Sequence, residues 1–471
     1  MKNKRQRMTL CKRALVAAIV VSTFFTTLPV SYASENVITT DTTATTDTTI
    51  TDAASSTASA TTGTTAGTTD TGITTDTTDT AADDTEDTTE TEEPDEFNAV
   101  WISYLEFNSR LIDPDTGKSG FTEERFCALI DEMFDNVVSL NMNAVVVQVR
   151  PFGDAMYPSE YFPWSKYISG TQGVDPGFDP LEYMVEAAHI RGLKFHAWIN
   201  PYRVTNDTTK VSTLSTSNIA RKWRTNASTQ DDRNILTFDG KLFYNPAKVK
   251  VRNLIRNGIK EIVENYDVDG IHFDDYFYPT LGTNYKKNFD YKEYKEYYYD
   301  CIENEETSNS IVVWRRDNVN SLLENVYSDI KEINQTVVFG ISPGGNISNL
   351  MMKDRYYCDV VTWLSEDGYI DYICPQIYWS FSHYSVPFDK TLDRWLALRT
   401  NENVKMYVGI ATYRAGSNLE EEWKTDSKIL KKQVEYSRET GLVNGYIYFR
   451  YDFFFMKTTQ KAVKNLLAIL S

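Results

Sequence analysis

The stretch Val268-Asp269-Gly270-Ile271-His272-Phe273-Asp274-Asp275-Tyr276-Phe277-Tyr278-Pro279 sets two adjacent carboxyl groups near the end of an apolar run. Strand alternation puts His272, Asp274 and Tyr276 on one face and Phe273 and Asp275 on the other. A carboxyl group facing a packed interior is costly unless it is paired or used. Hydrolysis of a glycosidic bond is one chemistry that uses such groups: an acid and a nucleophile or base, about 5 to 5.5 Å or about 6.5 to 9.5 Å apart according to stereochemistry. Asp274 is the first candidate. Asp275, Asp154, Glu366 and Asp452 are candidates for the second carboxyl, and the plain alternative for each is an acid that ties down a neighbouring arginine or loop backbone. His272, one of four histidines, reads as a buried hydrogen-bonding residue. No cysteine, histidine and acid spacing suits a metal, and no Gly-x-Gly-x-x-Gly follows a strand, so neither a metal site nor a cofactor is expected.

The elements that must position these groups alternate. Short apolar runs rich in β-branched and aromatic residues occur at 99–104, 144–150, 194–200, 270–277, 337–342, 372–379, 405–412 and 445–450. Helical periodicity is clearest at 122–140, 180–191, 249–266, 312–333, 392–400, 427–440 and 457–470. Alternating strands and helices imply parallel strands with right-handed crossovers. Eight such units ending on a helix predict an α/β fold, a closed (β/α)8 TIM barrel, in preference to an open sheet. A long insertion, residues 204–247, follows the third strand, and its Ile235 to Tyr244 segment reads as a hairpin turning at Asp239-Gly240.

In such a barrel the strand ends share one mouth. The predicted ends carry Gln148, Arg150 and Asp154; Asn200, Tyr202 and Arg203; Asp274, Asp275 and Tyr276; Gln376, Tyr378 and Trp379; Tyr413 and Arg414; and Tyr448, Arg450 and Asp452. Arg150, Asn200, Arg203 and Gln376 are expected to meet substrate hydroxyls and to set carboxyl ionisation; a structural pair across the mouth is the alternative. Tyr202, Tyr276, Tyr378, Trp379 and Tyr413, with Trp164 and Trp198, offer flat faces with a polar edge, suited to stacking on sugar rings. Trp198 among these reads as core.

The folded part accounts for only some of the chain's acidity. Lys2, Lys4, Arg5, Arg7, Lys12 and Arg13 precede an apolar run from Ala14 to Val30 and then Ser31-Tyr32-Ala33, the pattern of a secretory signal cut after Ala33. Residues 34–96 hold sixteen carboxylates, no cations and almost no large apolar side chains, a composition expected to stay disordered as a linker. Leader and linker leave −8 of the total charge of −18 for residues 97–471. A net-negative folded part argues against nucleic acid as a partner; a polysaccharide is the expected one, with no membrane span after the leader is removed. Oligomeric state is not fixed by the sequence. Cys374 reads as core, and the spacing of Cys127, Cys301 and Cys358 does not specify a disulfide. The residues by themselves lead to a secreted, extracellular or envelope-associated barrel enzyme acting on sugar.

Four strings in order add to this: Val147-Gln148-Val149-Arg150-Pro151-Phe152-Gly153-Asp154, Phe195-His196-Ala197-Trp198-Ile199-Asn200-Pro201-Tyr202-Arg203, the strand-four string ending Tyr278-Pro279, and Cys374-Pro375-Gln376-Ile377-Tyr378-Trp379. On these the chain resembles the glycosyl hydrolase-like 10 family across roughly residues 97–471. The resemblance implies a glycoside hydrolase of a cell-wall glycan, such as peptidoglycan stripped of its stem peptides or another N-acetylated polysaccharide. The opening Val100 to Phe107 departs from a shorter turn leading to Trp-Pro. A looser likeness links Asp269 to Tyr276 with the Asp-Gly-x-Asp-x-Asp-x-Glu strand of family 18 chitinases, in which the substrate's acetamido group is the nucleophile. That likeness implies that Asp274 orients the acetamido group and Tyr378 assists, while the acid position falls on Tyr276. Two other readings stand beside these: a carbohydrate-binding pseudo-enzyme, and a hydrolase of dietary or plant polysaccharide.

Overall fold

A computed structural model describes residues 96–207 and 209–470. The leader and nearly all of the linker read from the sequence lie outside the described residues. The strands in chain order are β1 (Phe97–Ile102), β2 (Ala144–Arg150), β3 (Lys194–Ile199), β4 (Ile235–Phe238), β5 (Lys241–Tyr244), β6 (Gly270–Asp274), β7 (Val338–Ser342), β8 (Tyr372–Ile373), β9 (Lys405–Ile410) and β10 (Gly445–Tyr448). Eight of them close a parallel barrel in the order β1-β10-β9-β8-β7-β6-β3-β2, and β4 with β5 forms a separate hairpin. The (β/α)8 barrel expected from the sequence is therefore present.

Alternation divides each strand between two environments. Val100, Ile102, Val145, Val147, Phe195, Ala197, Ile271 and Phe273 join the layer packed with the surrounding helices. Phe97, Ala99, Trp101, Ala144, Val146, Trp198, Tyr372, Cys374, Tyr407 and Ile447 form a second cluster. Their alternation with the first set assigns this cluster to the barrel interior. That interior also holds a polar chain. Trp101 Nε1 donates to His272 Nε2 (3.3 Å). Because an indole N–H can only donate, His272 carries its proton on Nδ1 and gives it to the Tyr372 hydroxyl (2.8 Å). The Tyr372 hydroxyl in turn donates to His196 Nδ1 (3.0 Å). Glycines make the room: a methyl at position 340 would lie 2.1 Å from the Tyr372 ring, and one at position 270 would lie 2.9 Å from the His196 ring. Burial holds His196 down at about 4 and His272 well below its ordinary range, so both rings stay neutral in the core.

Two strands end sooner than their apolar runs suggest. The fourth barrel strand, expected to reach Phe277, stops at Asp274, where Phe277 N turns back to Asp275 O (2.8 Å). Alternation therefore ceases at Asp274. The sixth, expected over 372–379, is regular only at Tyr372–Ile373, since Pro375 has no N–H to continue the ladder. Beyond it the segment is stitched by single bridges from Gln376 to Gly344 and to Gly409.

The expected hairpin turns at Asp239 (φ 48°) and Gly240 (φ 71°), the left-handed pair that a two-residue turn requires. It is fixed to the end of β3 by Val204 N to Leu242 O (3.0 Å) and Tyr244 N to Tyr202 O (2.8 Å), at the mouth. The excursion after β6 is anchored by a buried network. Arg315, on the helix Ile311–Ile333, pairs with Asp290 (2.6 Å), and both side chains are fully buried. Tyr278 donates to Asp290 Oδ2 (2.9 Å) and Arg315 Nη1 to the Tyr357 hydroxyl (2.7 Å). The four described cysteines, Cys127, Cys301, Cys358 and Cys374, are buried. No helix among the described residues is long and apolar enough to cross a membrane.

Candidate active site

Asp274 ends β6, in register with Ser342 of β7. Its Oδ2 accepts from Trp198 Nε1 and from Asn200 Nδ2, each at 3.2 Å. Oδ1 has only the Tyr276 amide, at 3.4 Å, so it is the oxygen left free to carry a proton or meet a ligand. Burial and then the repulsion of Asp275 push Asp274 from 3.8 up to about 7, against the pull of Arg203 and the Trp198 hydrogen bond. Asp275 is turned toward the fifth barrel strand's loop, where Gly344 N–H donates to its Oδ2 (2.8 Å). Burial raises it to about 6, with the Gly344 amide and Arg203 opposing. Two neighbouring carboxyls raised toward neutrality can each stand protonated or charged over the range in which a glycosidase must both donate and withdraw a proton.

Arg203 is the cation of this pair. Its guanidinium lies over the Tyr276 ring (4.3 Å) and near that of Phe152 (5.5 Å), and its amide is fixed by Asn200 Oδ1 (3.1 Å). One short segment, Asn200 to Arg203, thus supplies both a hydrogen bond and a charge to the carboxyls. Tyr378 packs against Tyr413 (5.9 Å between ring centres). Its hydroxyl is buried with no hydrogen-bond partner, and it feels the charge of Asp275. Gln376 donates to Ser342 O (2.8 Å) and so ties the sixth strand's end to the fifth. Trp379 is half-buried beside Gly345.

Other candidates gather elsewhere. Asp154 is buried, accepts from Gln172 Nε2 (2.8 Å) and is raised to about 6 by burial. The charges acting on it are those of Lys166 and Arg150, whereas those acting on Asp274 are Asp275 and Arg203. Arg150 is 1% exposed, stacked 4.2 Å over Phe162, with both terminal nitrogens unbonded. Tyr202 is wholly buried and packs on Phe277. Arg150 and Asp154 act on each other, while Tyr202 lies between Asn200 and Arg203 on the segment that reaches Asp274. Glu366 is exposed at the end of the helix Val360–Ser365, ahead of β8, which places it at the barrel end opposite the mouth. Asp452 is engaged by Arg110 (2.7 Å) and Arg450 (3.2 Å).

Two buried residues near the strand ends escape a reading of residue types. Trp198, taken as core, is in the interior cluster and also donates to Asp274; its register opposite His272 puts the indole one step below the carboxyl. Glu106 is a fully buried acid near the end of β1, held by Arg450, by Ser103 N (2.9 Å) and by Ser103 Oγ (2.7 Å). Ser103 and Glu106 make a capping box for the helix Tyr104–Ser109, a Ser-x-x-Glu pattern visible in the sequence. With its oxygens so occupied, Glu106 serves structure. Among the described residues no cluster of histidine, cysteine and acids is arranged to hold a metal ion.

The barrel and its acidic mouth can be set beside known proteins. The glycosyl hydrolase-like 10 family matches residues 96–425. Glycosyl hydrolase YngK of Bacillus subtilis (strain 168) is 37% identical over 372 residues, 75% of this chain and 68% of that protein. Glycosyl hydrolase DigH of Escherichia coli (strain K12) is 33% identical over 356 residues, 72% of this chain and 78% of that protein. The glycoside hydrolase domain of PgaB (BpsB) from Bordetella bronchiseptica aligns with 79% of this chain and 99% of its own length, at 14% identity and a TM-score of 0.47. With a closed barrel, a raised pair of carboxyls at the ends of its strands and a family match over most of its length, the chain belongs to the glycosyl hydrolase-like 10 family and is a glycoside hydrolase.

Proposed function

We propose that this hydrolase cleaves an N-acetylated glycan of the cell envelope, peptidoglycan stripped of stem peptides being the substrate of choice, and that Asp274 is its essential carboxyl. The observation that carries the reading is the buried Asp274, whose Oδ1 meets no side chain, next to Asp275, whose charge acts on the unpartnered Tyr378 hydroxyl. Near neutral pH Asp274, the member with the higher value, holds the proton and passes it through Oδ1 to the leaving glycosidic oxygen. Asp275, charged and anchored on Gly344, accepts the acetamido N–H, and Tyr378 donates to the acetamido oxygen as it closes on the anomeric carbon. Water then opens the cyclic intermediate and returns the proton to the pair. Arg203 and Asn200 keep the pair in its working ionisation range, and Tyr276, Trp379 and Tyr413 offer stacking faces. Arg150, Asp154, Tyr202 and Gln376 support the loops that carry these groups.

The same reading takes residues 1–33 as a secretory leader and residues 34–96 as an acidic linker. The test is release of reducing ends from de-peptidated wall glycan by the wild-type protein and by Asp274→Asn. Loss of at least about a hundredfold in rate is expected for removal of a general acid. A folded Asp274→Asn protein working at the wild-type rate would end the assignment, and a wild-type protein that binds the glycan without product would mark a carbohydrate-binding protein instead.

A further inference from the structure

One aromatic side chain stands out in the open. Tyr384 is 90% exposed on the loop that follows the sixth barrel strand. Its ring stacks on His383 (5.1 Å between centres, 25° between planes), which leaves its other face to solvent. His383 packs in turn on Trp379 (6.0 Å). The His383 ring is itself fixed. Its Nδ1 accepts from Val386 N (3.1 Å), and Nε2 faces Glu420 at 3.9 Å. The neighbouring loop holds this one a second time, with Ser382 N donating to Glu422 Oε2 (2.7 Å).

The row is continuous with the carboxyl pair. A methyl on Gly345 would lie 2.8 Å from the Trp379 ring, and the adjacent Gly344 donates to Asp275. From acid to rim the sequence in space is Asp275, Gly344, Gly345, Trp379, His383, Tyr384. A bare aromatic face already stacked on a fixed neighbour pays less ordering entropy when a flat apolar ring settles on it, and the C–H face of a sugar is such a ring.

We propose that Tyr384, supported by His383 on Trp379, is an outlying subsite that stacks a sugar ring several residues along the chain from the bond being cut, so that the enzyme grips long strands in preference to short ones. This rests on the glycan reading above. The experiment measures equilibrium binding of N-acetylglucosamine dimer and hexamer by calorimetry, in an Asp274→Asn background so that nothing is cleaved. It compares that protein with the same protein also carrying Tyr384→Ala or Tyr384→Phe. Expected is a loss of about fivefold in hexamer affinity for Tyr384→Ala, the size of one lost aromatic stacking contact, with dimer affinity unchanged and Tyr384→Phe restoring the hexamer. Equal hexamer affinity with and without Tyr384, or equal losses for dimer and hexamer, overturns the subsite and leaves the parent reading intact. A background protein that binds neither oligomer, together with a wild type that releases no reducing ends from de-peptidated wall glycan, overturns both.

Discussion

Replacing Asp274 with asparagine should make the protein more stable at alkaline pH while it removes activity, and the size of the gain follows from the burial of that one carboxyl. Its value moves from 3.8 to about 7 on folding. Because the folded value is raised, the folded chain binds more protons than the unfolded chain between the two values. Stability is therefore full below the lower one, falls as pH rises through the window, and carries the whole penalty above the upper one. At ~1.36 kcal/mol per unit, the penalty is about 4 kcal/mol once the group is ionised in both states. Some 3 kcal/mol of it is incurred between about pH 5 and about pH 8. Asparagine keeps one oxygen for Trp198 and Asn200, has nearly the same volume and never ionises. Asp275 remains in both proteins, so the difference between the two stability curves reports Asp274 together with its coupling to Asp275. Urea unfolding of wild type and variant across that range should show wild-type stability dropping more steeply, with the variant ahead by a few kcal/mol at the alkaline end. Parallel curves would mean that Asp274 is not held in a poorly solvated site, and its role as a proton donor near neutral pH would lose its basis.

Other expectations are narrower. Asp275→Asn removes the repulsion that helps raise Asp274; the alkaline limb of the pH–rate profile should move to lower pH, and an unmoved limb would separate the two acids. Arg203→Gln removes a charge that lowers both carboxyls, so the same profile should move to higher pH. Gly340→Ala drives a methyl into the Tyr372 ring and should cost about 1 to 3 kcal/mol in urea unfolding; a neutral result would show that the ring can shift. Arg315→Met leaves Asp290 buried without its cation and should cost about 3 to 5 kcal/mol at neutral pH, again read by urea unfolding.

Much of the barrel is legible along the chain because parallel strands buried on both faces are written as continuous apolar runs, and the Asp239-Gly240 turn announces its hairpin. What is hidden depends on register or on where a ladder stops. Nothing in Trp198 tells that its nitrogen meets Asp274; that follows from β3 pairing with β6. Asp275 looks, by alternation, like the outward neighbour of Asp274, yet the strand ends between them and the chain turns it to Gly344. The polar chain from Trp101 to His196 is closed to a reading of residue types, since its space comes from glycines on β6 and β7 that meet rings from other strands. Glu366 shows the reverse error: nearness in sequence to a strand does not say which end of the barrel a residue occupies.

The seam of the barrel bears on how the protein can be handled. β10 is bonded to β1 on one side and β9 on the other, and Arg450 just beyond it grips Glu106 near the end of β1. An expression fragment cut at Thr425, where the family match ends, would contain both acids yet lack the stave that joins first to last. Its β1 and β9 would present bare edges, ready templates for pairing with other chains. Such a fragment should collect in aggregates, and preparations meant for assay need the polypeptide through the helix Gln460–Leu467.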